Sequence, residues 1–261
     1  MGGILVVGEI AHDGSLTKLS AEVATLAKSL GEAGAGAVEG VVAGPSPEAA
    51  ANELAEYLDT VYADSGFLAD YSIAPVAAAL SIVIEQYDIV MLPASPDGRD
   101  LAGMLSALTG LGVLANATEV RWDGGPVTTH SVFGGKLITE GGFTQGGGII
   151  TIRPNSAIAE KRGNPGQVQE MSGGPVPELP SVKVVDRIEA QSAAAPIEEA
   201  RIIVSGGRGV GGPEGFKLVE EIAEALGGTV GATRAAVDAG WIPYAQQIGR
   251  ASCRERVWIP V

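Results

Sequence analysis

Short apolar runs alternate with longer segments of helical periodicity over the first 110 residues of the chain. Short apolar runs are typical of buried strands, and apolar residues spaced three and four apart are typical of helices. The predicted strands are 4–10, 38–44, 60–64 and 88–95, and the predicted helices are 20–34, 47–58, 75–87 and 98–110. This alternation predicts an α/β fold with a mostly parallel sheet and helices on both faces.

The pattern changes after about Ala117. The segments 117–122, 127–142 and 147–154 alternate apolar and polar residues with a period of two, and Gly-rich turns separate them. This alternation predicts antiparallel strands that extend the parallel sheet. Residues 155–181 have the polar, Gly/Pro-rich composition of a loop or linker. At the start of the chain, Ser20 stands where it can cap the first predicted helix.

Charge and composition narrow the class of protein. The 261 residues carry a formal net charge of -14, which argues against nucleic acid and anionic membrane surfaces as partners. Cys253 is the single cysteine, so neither a disulfide framework nor a thiolate metal cluster is available. His12 and His130 have no second ligand at metal spacing, and we expect structural or surface roles for them. The first residues lack a basic leader and no apolar run approaches the ~20 residues of a membrane span, so we expect a cytoplasmic protein without membrane insertion.

A glycine-rich loop marks the candidate chemistry. The sequence "SGGRGVGG" (205–212) follows an apolar run and precedes a helical pattern, and Gly207, Gly209 and Gly212 satisfy G-x-G-x-x-G. If the helix begins at Pro213, its free N–H groups and positive dipole end face an anion. The simpler alternative is a strand-to-helix turn that needs glycine for close packing.

A dinucleotide-binding unit for NAD requires a further residue besides the glycine-rich loop. It needs an Asp or Glu about 20 residues after the loop, at the end of the second strand, to hold the ribose hydroxyls. Here the second predicted strand, 228–233, is followed by Arg234, and Thr233 stands at its end. A hydroxyl and a cation in place of the acid favour a ligand with anionic character over NAD.

Two stretches closely resemble the FAD-binding domain of the electron transfer flavoprotein alpha subunit. They are "VSGGRGVGG" (204–212) and "GGTVGATRAAVDAGWIPYAQQIG" (227–249). The segments 98–120 and 150–156 resemble the first domain of that subunit, whose fold is similar to adenine-nucleotide α-hydrolases. The resemblance covers about 250 residues. It implies an N-terminal α/β domain of the electron transfer flavoprotein type, followed by a partial Rossmann-like FAD-binding domain.

The resemblance also implies domain boundaries. We expect the N-terminal domain over 1–185, a linker over 186–199 and a partial FAD-binding domain over 200–249. The family continues after this point with a Gln-Thr-Gly stretch and a further Gly-rich turn, whereas this chain has "RASCRERVWIPV" (250–261). We therefore expect an aberrant tail, a truncated FAD site and a polypeptide that purifies without flavin colour, with little or no flavin absorbance even after FAD is added. A genuine lineage-specific C-terminus is the alternative.

The family's FAD-binding positions carry over to particular residues. The resemblance implies that Arg208 lies along the FAD, that the Thr233 hydroxyl donates a hydrogen bond to it, and that the Arg234 guanidinium lies by the isoalloxazine ring. A permanent cation there would favour the negatively charged reduced ring. Gln247, Ile248 and Gly249 complete the expected FAD-binding residues. The alternatives are a solvated loop arginine for Arg208 and an i, i+4 ion pair with Asp238 for Arg234.

The implied function is that of an electron carrier rather than a substrate-converting enzyme. The family's alpha subunit pairs with a beta subunit that holds AMP, binds FAD, takes electrons from acyl-CoA dehydrogenases and related enzymes, and passes them to a quinone oxidoreductase. Two alternatives stay open at this point. One is a NAD-dependent Rossmann oxidoreductase, and the other is a cofactor-free scaffold that binds the beta subunit. The residues do not distinguish the fatty acid oxidation branch of the family from its nitrogen-fixation branch.

Overall fold

A computed structural model of the chain describes residues 2–11, 13–66, 73–144, 146–171, 197, 200 and 202–248. Contacts between Cα atoms divide the chain into two units, Met1–Asp186 and Arg187–Val261. Apart from Ile197, the linker expected over 186–199 lies outside the described residues, as does the whole tail expected over 250–261.

The described part of the N-terminal unit contains a seven-stranded sheet, a three-stranded sheet and four α-helices. Its elements are β1 (Gly3–Gly8), α1 (Lys18–Leu30), β2 (Ala37–Ala43), α2 (Glu48–Leu54), β3 (Thr60–Asp64), α3 (Ile73–Val83), β4 (Ile89–Pro93), α4 (Pro96–Thr109), β5 (Val113–Ala117), β6 (Glu119–Trp122), β7 (Pro126–Val132), β8 (Leu137–Gly141), β9 (Gly148–Ile152) and β10 (Gln167–Glu170). The large sheet has the order β10-β3-β2-β1-β4-β9-β5, and its neighbouring strands are parallel throughout. The expected parallel α/β fold is confirmed.

Helices cover both faces of this sheet because the central strands are apolar on both sides. In β1, Ile4 and Val6 pack into a cluster with α1 and α2. Leu5 and Val7 point to the other face and pack into a second cluster with α3 and α4. Successive strand residues point to opposite faces, so an uninterrupted apolar run is what a strand between two helical layers requires.

The helices α1 and α4 begin about two residues earlier than their patterns predict. Thr17, not Ser20, is the N-cap of α1, and its side chain accepts a hydrogen bond from the Ser20 N–H. The Ser20 hydroxyl is buried and accepts from the Glu9 N–H at 2.9 Å, so this residue ties the helix to the end of β1. Ser95 caps α4 by accepting from the Gly98 N–H at 2.8 Å.

The expectation that antiparallel strands extend the parallel sheet is wrong. The strands β6, β7 and β8 form a separate antiparallel sheet, whereas β9 enters the large sheet and runs parallel to both β4 and β5. All five residues of β9 are buried, which is typical of a central parallel strand. The period-two alternation therefore describes the small sheet alone.

The segment expected to be a loop over 155–181 contains a strand in its described part. Backbone bonds first fix the segment against the connection between α2 and β3: the N–H of Arg162 donates to the Glu56 carbonyl at 2.7 Å, and that of Gly166 to the Ala55 carbonyl at 2.7 Å. The chain then adds β10 to the sheet edge, parallel to β3. Polar composition hid this strand because an edge strand need not be apolar.

The described part of the C-terminal unit is smaller. Its elements are β11 (Ile203–Gly206), α5 (Phe216–Ala225), β12 (Thr229–Ala232) and α6 (Arg234–Asp238). The two strands pair in parallel, and α5 packs on them through Phe216 and Val219. A strand, a crossover helix and a parallel strand are the first unit of a doubly wound fold.

Across both units, the described helices include none with the length and apolar character that crossing a membrane requires.

Gly166 lies very close to the backbone that precedes β3 in the large sheet, and this close contact leads to a stability prediction. A Cβ at this position would lie 2.1 Å from the Leu58 carbonyl oxygen and 2.5 Å from that of Asp59, both of which are backbone atoms. We expect Gly166→Ala to lower the free energy of unfolding by about 1–3 kcal/mol, because the β10 segment must shift. Gly163→Ala is the control, since nothing lies within 4 Å of its Cβ position. Equal urea midpoints for the two variants would contradict the prediction.

Candidate functional site

The candidate site lies at the carboxyl edge of β11 and β12. The register pairs Gly206 with Ala232, so both strands end at the same level. The residues that follow, Gly207 and Thr233, are then neighbours: the Thr233 N–H donates to the Gly206 carbonyl at 2.9 Å, and a Cβ on Gly207 would lie 3.2 Å from Thr233 Cγ2. The parallel register therefore brings the two loops together.

Each of the two loops carries an exposed arginine. Arg208 follows β11 in a 3-10 turn, and its exposed side chain makes neither a hydrogen bond nor an ion pair with any described residue. Arg234 opens α6 and its side chain is 80% exposed. Its Nε lies 3.3 Å from Asp238 Oδ2, so the expected i, i+4 pair forms. This contact uses the Nε edge of the guanidinium, and such exposed pairs stabilise a helix by only about 0.3–0.5 kcal/mol.

Gln247 and Ile248 lie beside the end of β12. A 3-10 turn at Tyr244–Gln246 leads the chain back to the strand, where Gln247 forms a parallel bridge with Ala232. The Ile248 N–H donates to the Ala232 carbonyl at 2.8 Å. Five of the six sequence-predicted site residues thus surround one strand edge, and the sixth, Gly249, lies outside the described residues.

The glycine-rich loop differs from the expected phosphate turn. Pro213 stands at the first helical position as expected, but the first turn, Pro213–Gly215, is a 3-10 turn that leads directly into α5 at Phe216. Within the loop, the N–H of Gly211 donates to the Arg208 carbonyl at 3.1 Å, and that of Gly215 to the Gly212 carbonyl at 3.1 Å. Because these two amides form hydrogen bonds within the loop, fewer backbone N–H groups are available to bind an anion.

Apart from Gly207, which packs against Thr233, the glycines in and just after this loop fall into two groups. Gly206 and Gly215 are packing positions, because added Cβ atoms would lie 2.7 Å from the Phe216 ring and 2.0 Å from the Val210 carbonyl oxygen. The Cβ positions of Gly209, Gly211 and Gly212 face open space instead. The packing alternative therefore explains the first group, and the second group leaves the loop surface accessible to a ligand.

The described residues at this edge fit FAD. Arg208 and Arg234 supply permanent positive charge for a pyrophosphate or a reduced ring. Thr233 is the N-cap of α6, yet its hydroxyl makes no capping bond and is free to donate to a ligand. The acid that would hold the ribose hydroxyls of NAD is absent from the end of β12, where Thr233 and Arg234 stand.

A second feature, missed by the sequence reasoning, lies at the carboxyl edge of the large sheet. Glu9 follows β1 and its carboxylate accepts a hydrogen bond from the Ser95 hydroxyl. The pKa of Glu9 is raised to about 7, with burial as the largest cause and the nearby Asp97 carboxylate as a smaller one, while the hydrogen bonds from Ser95 and the Gly98 N–H oppose the rise. The available signal was an acidic residue directly after an entirely apolar strand.

This raised pKa predicts that Glu9→Gln changes the free energy of unfolding in a pH-dependent way. The folded protein binds the Glu9 proton more tightly than the unfolded chain, so its contribution to stability is present below pH 4.5 and is lost as pH rises to about 7. The amide stays neutral. Urea unfolding should therefore show Glu9→Gln gaining stability over the wild type across this interval, by up to about 3 kcal/mol at pH 8.

Glu85→Gln is the matched control, because Glu85 is exposed and should give no such difference. A stability difference between Glu9→Gln and the wild type that is the same at pH 5 and pH 8 would contradict the assigned titration.

The described histidine has a structural environment. His130 Nε2 lies 2.7 Å from Thr128 Oγ1 and its Nδ1 lies 3.0 Å from the Ala115 carbonyl oxygen, which joins β7 to β5. His12 lies outside the described residues. Within the part of the chain that the structure describes, no three His, Cys, Asp or Glu side chains are grouped to hold a metal ion.

Two family models match the chain. Residues 4–181 match the electron transfer flavoprotein domain, and residues 196–254 match the electron transfer flavoprotein FAD-binding domain. Similar proteins include the electron transfer flavoprotein subunits alpha of Mycobacterium leprae, 36% identical over 91% of this chain and 74% of that protein, and of Mycobacterium tuberculosis, 36% identical over 96% and 78%. The subunit alpha of Syntrophomonas wolfei is 31% identical over 92% and 76%.

Proposed function

Since the chain belongs to the electron transfer flavoprotein alpha subunit family, we propose that it binds FAD at the carboxyl edge of β11 and β12 and serves as an electron carrier. The observation that carries the proposal is the convergence of Arg208, Thr233 and Arg234 on one strand edge with open loop surface in front of it. FAD, when bound, supplies the capacity to accept and release electrons.

The proposed roles follow from chemistry and position. Arg208 lies on the loop after β11 and binds the FAD along its length. Thr233 donates a hydrogen bond through the hydroxyl that its helix does not use. Arg234 carries the positive charge of a guanidinium, so it stabilises negative charge on the reduced ring. Gln247, Ile248 and Gly249 are proposed to line the adjacent side of the site.

The wider assignment is also a proposal. The protein pairs with a beta subunit that holds AMP, accepts electrons from acyl-CoA and related dehydrogenases, and passes them to a quinone oxidoreductase. It is a carrier and not a substrate-converting enzyme. The domain boundaries at 1–185, 186–199, 200–249 and 250–261 stay predictions, as do the cytoplasmic location and the lack of nucleic-acid and membrane partners.

The two alternatives have less support. A NAD-dependent oxidoreductase needs an acid after β12, and Thr233 and Arg234 occupy that place. A cofactor-free scaffold would have no use for two exposed arginines beside an open glycine loop. The scaffold alternative would be supported if the chain showed no saturable binding of FAD.

Binding of FAD to the 261-residue chain tests the proposal directly. We expect flavin to be lost on gel filtration but to bind saturably at equilibrium, as measured by fluorescence anisotropy of FAD. Arg208→Ala and Arg234→Ala should each weaken binding about tenfold or more, because hydrogen bonds to charged groups contribute about 1.5–3 kcal/mol. NAD should compete poorly.

Arg121→Ala is the matched control. This exposed arginine in β6 pairs with Asp123 and Glu140, and its loss should leave FAD binding unchanged. Equal affinities for the wild type, Arg208→Ala and Arg234→Ala would contradict the proposed site, and effective competition by NAD would favour the oxidoreductase.

A further inference from the structure

The strand β8 forms an open edge of the small antiparallel sheet. Within the described part of the chain, the order β6-β7-β8 gives β8 a neighbour on one side and none on the other. Four of its five residues are exposed, and they include two large apolar side chains, Leu137 at 54% and Ile138 at 74%. An unpaired edge strand with exposed apolar side chains is a template for pairing with another strand.

Alternate residues of β8 direct their backbone groups to this open edge. In an antiparallel strand, the N–H and C=O of one residue point to the same side, and successive residues point to opposite sides. The Thr129 carbonyl accepts from the Thr118 N–H at 2.8 Å, so Thr129 faces β6 and the next residue, His130, faces β8. The register pairs His130 with Thr139. Thr139 therefore bonds β7, and Ile138 and the other even-numbered residues of β8 face outward.

The side chains at these outward-facing positions alternate in character. Lys136, Ile138 and Glu140 are two residues apart, so they lie on one face of the strand, and all three are exposed. Lys136 has no ion pair with any described residue, and the Arg121 guanidinium approaches Glu140 through Oε1 at 3.3 Å. The open edge thus presents an apolar side chain midway between a cation and an anion.

Such a strand is complementary to itself when two copies run antiparallel. If Ile138 lies opposite Ile138 of a second copy, then Lys136 of each copy lies opposite Glu140 of the other. Directly opposite apolar pairs and pairs of opposite charge stabilise a sheet, and two-fold symmetry repeats each contact. The paired residues are also those whose N–H and C=O face the edge, so the backbone hydrogen bonds form in the same register.

The charges disfavour the neighbouring registers. Pairing centred on Thr139 would place Ile138 opposite the Glu140 carboxylate. Pairing centred on Glu140 would bring two carboxylates together, and pairing centred on Lys136 would bring two ammonium groups together. Like charges directly opposite each other destabilise a sheet, and such repulsion against wrong partners is how a specific interface is defined. The sequence of β8 therefore favours one register.

We propose that two copies of the chain associate through antiparallel pairing of β8 with β8, centred on Ile138, so that their two small sheets join into one continuous sheet. Two independent features of the same residues support this occupant of the edge: the direction of their backbone groups and the order of their charges. The interface belongs to the N-terminal unit and does not depend on the proposed flavin site, so its test needs no FAD.

Sedimentation equilibrium of the full chain tests the proposal. We expect a reversible monomer–dimer equilibrium, and Glu140→Lys should raise its dissociation constant about tenfold or more, because two like-charge pairs replace two pairs of opposite charge. The double variant Lys136→Glu/Glu140→Lys restores opposite charges and should return the constant to the wild-type value. Glu119→Lys is the matched control: it makes the same charge change at an exposed residue of β6 and should leave the constant unchanged.

Amide hydrogen exchange identifies the contact surface residue by residue. As the protein concentration rises, protection should increase at Ile138 and Glu140, whose amides face the edge. Protection at Leu137 and Thr139, whose amides face β7, should change much less. This alternation distinguishes pairing through β8 from association through any other surface of the chain.

Three results would overturn the proposal. One is a monomer mass at all protein concentrations up to about 1 mM, which corresponds to very weak binding. Another is a dimer whose dissociation constant does not change in Glu140→Lys. The third is a monomeric chain in which Glu140→Lys weakens binding of an electron transfer flavoprotein beta subunit, because the edge would then belong to that partner.

Discussion

Parallel pairing of β11 with β12 is the constraint on which the candidate site depends. The pairing of Gly206 with Ala232 ends both strands at one level, and the described residues assigned to the flavin lie within a few positions of that level. A shift of one residue in the register would separate Thr233 from Gly207 and turn the side chains of β12 to the opposite face. The small side chains at the strand ends maintain this register, because Gly231 leaves room for Ser205 and Ile248.

Parallel pairing also sets the edge of the large sheet, but the side chain found there is acidic and not basic. Parallel strands there also bring their carboxyl ends to one edge, but the group at the ends of β1 and β4 is a partly buried carboxyl, Glu9, and not an exposed guanidinium. This carboxyl group accepts a hydrogen bond from Ser95, which follows β4, and so it lies where an anionic ligand would have to bind. The strand edge of the C-terminal unit therefore presents positive charge to solvent. The strand edge of the N-terminal unit instead carries the Glu9 carboxyl group.

Much of this could be predicted from the sequence, for reasons that particular elements make clear. Apolar runs such as β1 and β4 are visible because strands buried on both faces carry an uninterrupted signal, and the two arginines stood out against a motif that usually ends in an acid. Other features depended on contacts distant in sequence. The placement of β9 beside β4, the edge strand β10 and the link between Glu9 and Ser95 arise from tertiary packing, which a local pattern does not encode.

The central claim is that FAD binds at the edge of β11 and β12. Nitrogen-15 amide spectra of the deuterated chain, recorded during titration with FAD, test it most directly. The account predicts shifts concentrated at 207–212, at Thr233 and Arg234, and at Gln247 and Ile248, with little change around Glu9 and Ser95. Shifts concentrated at Glu9, Ser95 and Gly98, with the loop after β11 unaffected, would contradict it.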